Sequence, residues 1–83
     1  MTDEPTDRST ADAMSPDEYR TTLEALALTQ AGAARLLGVD GRTSRKWAAG
    51  DREVPPTAAR FLRFLMAAKI SPDEVMKALS AAH

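Results

Sequence analysis

The chain of 83 residues contains no cysteine, and its single histidine, His83, is the last residue. The absence of cysteine excludes disulfides, thiolate nucleophiles and zinc–sulfur sites, and a chain end is where order is usually lost. No cluster of base, nucleophile and metal ligand remains from which an active site could be built. The sequence therefore predicts a protein that is not an enzyme and that binds no cofactor or metal ion.

Long apolar runs are also missing. None approaches the roughly 20 residues that a membrane-spanning helix needs. The polar start MTDEPTDRST has neither the basic nor the apolar region of a signal peptide. We therefore expect a soluble, cytoplasmic protein with no membrane partner.

Large apolar side chains are scarce. Leu, Ile, Val and Phe together supply 14 of the 83 residues, whereas alanine alone supplies 16. With few β-branched residues to build a sheet, this composition favours short helices that pack closely through small side chains. The expected fold class is all-α, as a compact five-helix bundle with a thin core.

Charge is unevenly distributed along the chain. Residues 1–24 carry seven acidic and two basic side chains, a net charge of −5, whereas residues 30–63 carry seven basic and three acidic side chains, a net charge of +4. The overall pI of 5.7 therefore conceals a basic middle segment. Such a segment is typical of a solvated helical surface or of a nucleic-acid-binding surface, and charge alone does not separate the two.

Helix signals divide the chain into a tail and one domain. Residues 1–14 have no periodic apolar pattern and predict a flexible acidic tail, with the domain spanning 15–83. Ser15 and Ser71 each open an S-P-D-E capping box, in which the glutamate is expected to reach back to the serine N–H. The predicted helices run from Ser15 to near Ala27, Gln30–Leu37, about Gly41–Ala49, about Thr57–Lys69, and onward from Ser71.

The two short central helices have a specific pattern. They are joined by a turn of about three residues containing Gly38, which is the pattern of a helix-turn-helix. On the second of them, the 3.6-residue period places Ser44 and Trp47 inward. The same period places four residues on the outer face: Arg42, Arg45, Lys46 and Ala49.

This stretch resembles the phage-repressor-like helix-turn-helix domains of the Cro/Xre type. The matching letters are L-x-L-T-Q-x-x-A-A-R-L-L-G-V, then R-T-x-R-K-W-A-x-G, then V-P-P. They cover Leu26 to Pro56 and, with the flanking helices, about residues 15–69. Ser44 departs from the family, which normally has an aliphatic core residue there, so we expect Ser44→Val to stabilise the domain unless the hydroxyl bonds back to the Asp40 carbonyl.

The resemblance implies sequence-specific binding of double-stranded DNA by a small bacterial or phage transcriptional regulator. We expect it to act as a homodimer, and the surplus apolar surface of the fourth or fifth helix is the only reason for that expectation. The third helix would lie in the major groove, with Gly41, Arg42 and Lys46 at base-facing positions and Arg42 as the best reader. Gln30 matches the family's phosphate-clamping position. Thr43 and Arg45 would be further backbone contacts, and Arg52 a contact to the backbone or the minor-groove edge.

A second interpretation keeps the same fold but directs it to a protein partner. In that case the acidic tail and acidic pI would mark a protein-interaction module, for example an antitoxin-like protein or a co-regulator.

The fourth helix is too widely apolar for one buried stripe, because Ala58, Leu62, Leu65 and Met66 suffice for the core. The surplus of Phe61 or Phe64 indicates either packing for the fifth helix, with Val75, Met76 and Leu79 inward, or a dimer surface.

Overall fold

The computed structural model describes residues 13–82, and their regular structure is entirely helical. The predicted all-α class is confirmed. The first helix ends at Ala25, two residues before its predicted end, and the fourth helix begins and ends one residue earlier than the sequence pattern indicated. The five helices are α1 (Pro16–Ala25), α2 (Gln30–Leu37), α3 (Gly41–Ala49), α4 (Pro56–Ala68) and α5 (Pro72–Ala81).

Side-chain caps fix where four of these five helices begin, whereas α4 follows Pro55 and has no side-chain cap. Ser71 and Glu74 form a complete capping box, in which Ser71 N–H donates to Glu74 Oε1 (2.9 Å) and Glu74 N–H donates to Ser71 Oγ (3.2 Å). At Ser15 only half of the expected box forms, with Glu18 N–H donating to Ser15 Oγ at 3.0 Å. The Glu18 carboxylate instead accepts from Nε and Nη2 of Arg63 on α4, at 3.1 and 2.9 Å. The prediction for Glu18 was wrong because a cation from a distant helix competes for its carboxylate.

The link between α2 and α3 is three residues long. Gly38 ends α2 in the left-handed conformation, with φ +74°. Its neighbour Val39 donates its N–H to the Ala34 carbonyl at 2.9 Å, which closes the last turn of the helix. Asp40 then caps α3. The two helices pack against each other more extensively than any other pair, and α1 packs against both α3 and α4.

The core lies between α1, α3 and α4 and is centred on two aromatic rings. Tyr19 and Trp47 meet edge to face, with ring centroids 5.7 Å apart and an interplanar angle of 89°. The sulfur-containing side chain of Met14 is buried in the same cluster. Met14 therefore belongs to the packed domain, whereas the sequence placed it in the tail. Of the rest of the predicted tail, the Ala13 carbonyl accepts a hydrogen bond from Arg63, and residues 1–12 lie outside the described residues. Other buried members are Leu23, Ala33, Ala48, Val54, Ala58, Ala59 and Leu62.

Helix five packs more loosely than predicted. It has no buried residue, Val75 and Met76 are only half-buried, and Leu79 is 47% exposed. On α4, Phe64 is exposed as expected, but Met66 is also exposed rather than buried. The physical reason is position, because α5 lies at the edge of the bundle and contacts α2 rather than closing over the core.

Across residues 13–82, none of the helices has the length and apolar character needed to cross a membrane.

Candidate nucleic-acid interface

Helix α3 has one buried and one solvent-facing side. Ser44, Trp47 and Ala48 are buried, because they face α1 and α2. Arg42 and Arg45 are exposed, Lys46 is half-buried and Ala49 is exposed. The predicted division of this helix between core and solvent is confirmed. Its outward side therefore presents three cationic side chains.

The N-terminal end of α3 is held by Asp40. Its carboxylate accepts the Thr43 N–H at 2.8 Å, the standard bond of an N-cap. This hydrogen bond is the main reason that the pKa of the Asp40 carboxyl lies below its usual value, and the positive charges of Arg42 and Arg45 lower the pKa further. Asp40 thus remains charged at neutral pH, and the positive charges of both arginines act on it.

Arg45 reaches back over the first residue of α3. A β-carbon at Gly41 would lie 3.4 Å from Nη1 of Arg45, which is van der Waals contact. This direction is expected, since side chains on a helix lean toward its N-terminus and residues four apart share a face. The guanidinium of Arg45 therefore occupies space beside Gly41, the position where the sequence offers no side chain.

A buried hydrogen-bonded chain connects α1, α3 and α2. The Tyr19 hydroxyl lies 2.7 Å from Ser44 Oγ, and the Ser44 hydroxyl donates to Gln30 Oε1 at 3.4 Å. Either hydroxyl can be the donor in the contact between Tyr19 and Ser44. Burial raises the pKa of the Tyr19 hydroxyl, with the Ser44 hydrogen bond acting in the opposite direction. Because the Gln30 amide accepts from Ser44 through Oε1, its Nε2 group is the part of the amide that donates to other acceptors.

Ser44 is therefore satisfied in a way that the sequence did not predict. Its side chain is fully buried, and its backbone N–H, not its hydroxyl, contacts the Asp40 carbonyl, at 3.3 Å. The hydroxyl does not bond back to Asp40, the local alternative that the sequence left open, because the Tyr19 hydroxyl, 25 residues away in the chain, lies within hydrogen-bond distance. No local pattern around Ser44 could have identified that partner.

Six of the seven candidate residues lie on α2 and α3. Gln30, Gly41, Thr43 and Lys46 are half-buried, and Arg42 and Arg45 are exposed. Arg52 is exposed but follows the C-terminal end of α3, where its backbone N–H donates to the Lys46 carbonyl at 3.3 Å. That end lies about 12 Å along the helix axis from Gly41, given a rise of 1.5 Å per residue. The structure thus separates Arg52 from the residues at the start of α3.

Two arginines join distant segments through partners that the sequence does not identify. Nη1 of Arg20 on α1 donates to the Ala48 carbonyl in the last turn of α3, where a cation also complements the helix dipole, and Arg20 pairs with Asp17. Arg63 on α4 donates to the Ala13 carbonyl at 2.7 Å besides pairing with Glu18. Both interactions join distant segments, so charge patterning along the chain gave no signal for them.

In the part of the chain that the structure describes, no group of three or more His, Asp or Glu side chains is arranged to hold a metal ion. The carboxylates of Asp73 and Glu74 are adjacent in sequence, and the capping box accounts for Glu74. Comparisons of the chain with protein-family models, with curated proteins and with solved structures found no match.

Proposed function

We propose that this chain binds double-stranded DNA sequence-specifically, with α2 and α3 acting as a helix-turn-helix unit and α3 entering the major groove. In this role it would regulate transcription. The observation that carries the proposal is the outward side of α3, where Arg42, Arg45 and Lys46 present three cations while the opposite side is buried. Cations on one face of a helix that is firmly held by a core are the arrangement that groove binding needs.

The dimensions of α3 support the proposal. An α-helix with its side chains is about 10–12 Å across, and the major groove of B-DNA is about 12 Å wide, so the exposed side of α3 fits the groove. The helix is also held in place on its inner side by the Tyr19–Ser44–Gln30 chain and at its C-terminal end by Arg20. A helix with a fixed orientation can align side chains with base edges, whereas a loosely held one cannot.

Gln30 supports contact with the DNA backbone. It is the first residue of α2, where free N–H groups and the helix dipole favour an anion. Its Oε1 faces Ser44, so its Nε2 group is the part of the amide left to donate to a phosphate oxygen. In this proposal Gln30 and Thr43 position the protein on the duplex without distinguishing sequences.

Homodimerisation is part of the proposal. Phe64 and Met66 on α4 and Leu79 on α5 are large apolar side chains that are 54, 44 and 47% exposed. Phe64 and Met66 are two residues apart on α4 and therefore lie on different sides of it. Two copies that bury one of these sides against each other could present two α3 helices one turn of duplex apart, about 34 Å. The preferred site would then be an inverted repeat with half-site centres about 10 base pairs apart.

The same exposed apolar side chains favour a second candidate function, a protein-interaction module. In that case Phe64, Met66 and Leu79 would contact a different protein, and the cations of α3 would be a solvated surface. The two functions differ in salt dependence. Phosphate contact releases counterions, so DNA affinity falls steeply as salt rises.

The decisive experiment is a titration of the protein against mixed-sequence duplex, and against duplex selected from a random pool, at three salt concentrations. The test variant replaces Arg42, Arg45 and Lys46 with alanine. The matched control removes the same charge from Arg35, Lys69 and Lys77, which are exposed and lie outside α3. We expect the test variant to lose affinity and to lower the salt slope by about 1 for each phosphate contact removed, while the control stays near wild type.

Two results would contradict DNA binding. One is wild-type protein that shows no salt-dependent binding to any duplex. The other is equal weakening by the test and control variants, since that would reflect net charge and not α3. Either result would favour the protein-interaction candidate.

A further inference from the structure

We propose that Arg45, together with Arg42, reads base edges, and that the absence of a side chain at Gly41 makes this possible. The inference rests on the proposed DNA-binding function and deepens it. It assigns to Arg45 a specificity-determining role in place of the backbone contact that its sequence position implies. It also predicts which base the protein prefers.

The guanidinium of Arg45 lies beside Gly41, at the start of α3. Its Nη1 lies at van der Waals distance from the place where a β-carbon of Gly41 would be, 3.4 Å away. Arg45 belongs to the second turn of α3, yet its charged group lies at the first turn. In a helix-turn-helix, it is the N-terminal residues of the recognition helix that contact base edges. The guanidinium of Arg45 therefore lies at the N-terminal end of α3, where Gly41 has no side chain that could contact a base.

Two other charged residues, Asp40 and Arg42, belong to the start of α3. Arg42 is exposed in the same first turn, and the charges of both arginines act on the carboxylate of Asp40. Asp40 is itself fixed by its bond to the Thr43 N–H. The first turn of α3 and its cap therefore carry two guanidinium groups and one carboxylate, and the planar fork of a guanidinium loses less conformational freedom per hydrogen bond than a flexible ammonium does.

The guanidinium group suits the edge of a guanine base. A guanidinium is planar and donates two parallel hydrogen bonds, which match O6 and N7 of guanine in the major groove. Lys46, with a compact ammonium on a flexible stem, suits a phosphate instead. Two guanidinium groups at the start of α3 therefore predict a preference for guanine at two positions in each half-site, one for Arg42 and one for Arg45.

The test compares sequences selected from random duplex by the wild type and by charge-preserving variants. Arg45→Lys keeps the charge but loses the paired donors. Arg35→Lys is the matched control on α2. We expect Arg45→Lys to lose the guanine preference at one position and to lower the affinity ratio of selected to scrambled duplex about tenfold, with an unchanged salt slope. Arg42→Lys should affect a different position, and Arg35→Lys neither.

Gly41→Leu tests the geometry independently of charge. A leucine side chain would occupy the space beside Gly41 and displace the Arg45 guanidinium without offering hydrogen bonds. We expect Gly41→Leu to lose the same position as Arg45→Lys, and the double variant to lose no more than either one, because both remove the same contact. Thermal melting of each variant verifies that the fold is intact.

The outcomes separate this inference from the function on which it rests. If the wild type selects a sequence but Arg45→Lys selects the same one with the same affinity ratio, the role of Arg45 is wrong and DNA binding stands. If Gly41→Leu changes a position that Arg45→Lys leaves intact, the shared location is wrong. If the wild type binds no duplex in a salt-dependent way, both proposals fall together.

Discussion

The hydroxyl oxygens of Tyr19 and Ser44 lie 2.7 Å apart in the interior of the protein, where each side chain is fully buried. This contact joins α1 to the inner side of α3, and the Ser44 hydroxyl extends it to Gln30 on α2. A serine at this position is therefore the partner that a buried tyrosine needs. It is not a defect in an aliphatic core.

We predict that Ser44→Val destabilises the domain by about 1–3 kcal/mol, the reverse of what the sequence pattern indicated. The Tyr19 hydroxyl would remain buried without a partner, and the extra methyl group would crowd a filled site. The measurement is chemical denaturation of the wild type, Ser44→Val and Ser44→Ala. A gain in unfolding free energy for the valine variant would show that the hydroxyl contact contributes little.

The contact itself is measured by a double-mutant cycle with Tyr19→Phe and Ser44→Ala. Removal of both hydroxyls should cost less than the sum of the single variants, because neither group is then left unpaired. We expect a coupling of about 1 kcal/mol. Additive effects would indicate that the two hydroxyls do not interact.

Gly50 allows a test of close packing between the end of α3 and the start of α1. Its φ is +87°, and a β-carbon there would lie 3.2 Å from Cγ of Pro16. Gly38 has a similar φ of +74° but nothing within 4 Å of its β-carbon position. Gly38→Ala should cost about 1 kcal/mol for the left-handed conformation alone, and Gly50→Ala should cost more because Pro16 must move. Equal melting temperatures for the two variants would contradict the contact.

Acid should destabilise the protein partly through Asp40. The pKa of its carboxyl is lowered in the folded state, so the stabilisation from its charge is present above the unfolded pKa, near 4, and is lost as the pH falls through the lower folded value. Asp40→Asn retains an N-cap acceptor but does not titrate. We expect the melting temperature of the wild type to fall more steeply below pH 4 than that of Asp40→Asn. Parallel curves would exclude a contribution from this carboxyl.

The acidic N-terminal segment should weaken non-specific binding to DNA. Residues 1–12 contain four acidic side chains and one arginine, a net charge of −3. Removal of these residues should tighten binding to random duplex at low salt and matter less at high salt, because screening suppresses repulsion. The deletion stops before Ala13, since the Ala13 carbonyl accepts from Arg63 and Met14 is buried.

A length-matched control distinguishes charge from chain removal. It replaces Asp3, Asp7 and Asp12 with asparagine and Glu4 with glutamine in the full chain. This variant should tighten binding as much as the deletion does. If the deletion alone has an effect, the acidic charge is not the cause.

Local patterns in the sequence determined the helices and which side of α3 is buried. Caps such as Thr29 and Asp40, and helix-ending glycines such as Gly38 and Gly50, act within four residues of their partners, so their signals are contained in a short window. The 3.6-residue period likewise separated Trp47 from Arg42 without knowledge of the fold. These features therefore agree with the structure.

Which distant groups contact each other depends on how the helices pack. The hydroxyls of Tyr19 and Ser44 lie within hydrogen-bond distance. Arg63 donates to the Glu18 carboxylate, which therefore does not complete its capping box. Arg20 donates to a carbonyl at the end of α3. Met66 and Leu79 are exposed because α5 lies at the edge of the bundle. Each of these contacts depends on how helices far apart in the chain are placed in space, and neither propensity nor periodicity encodes that placement.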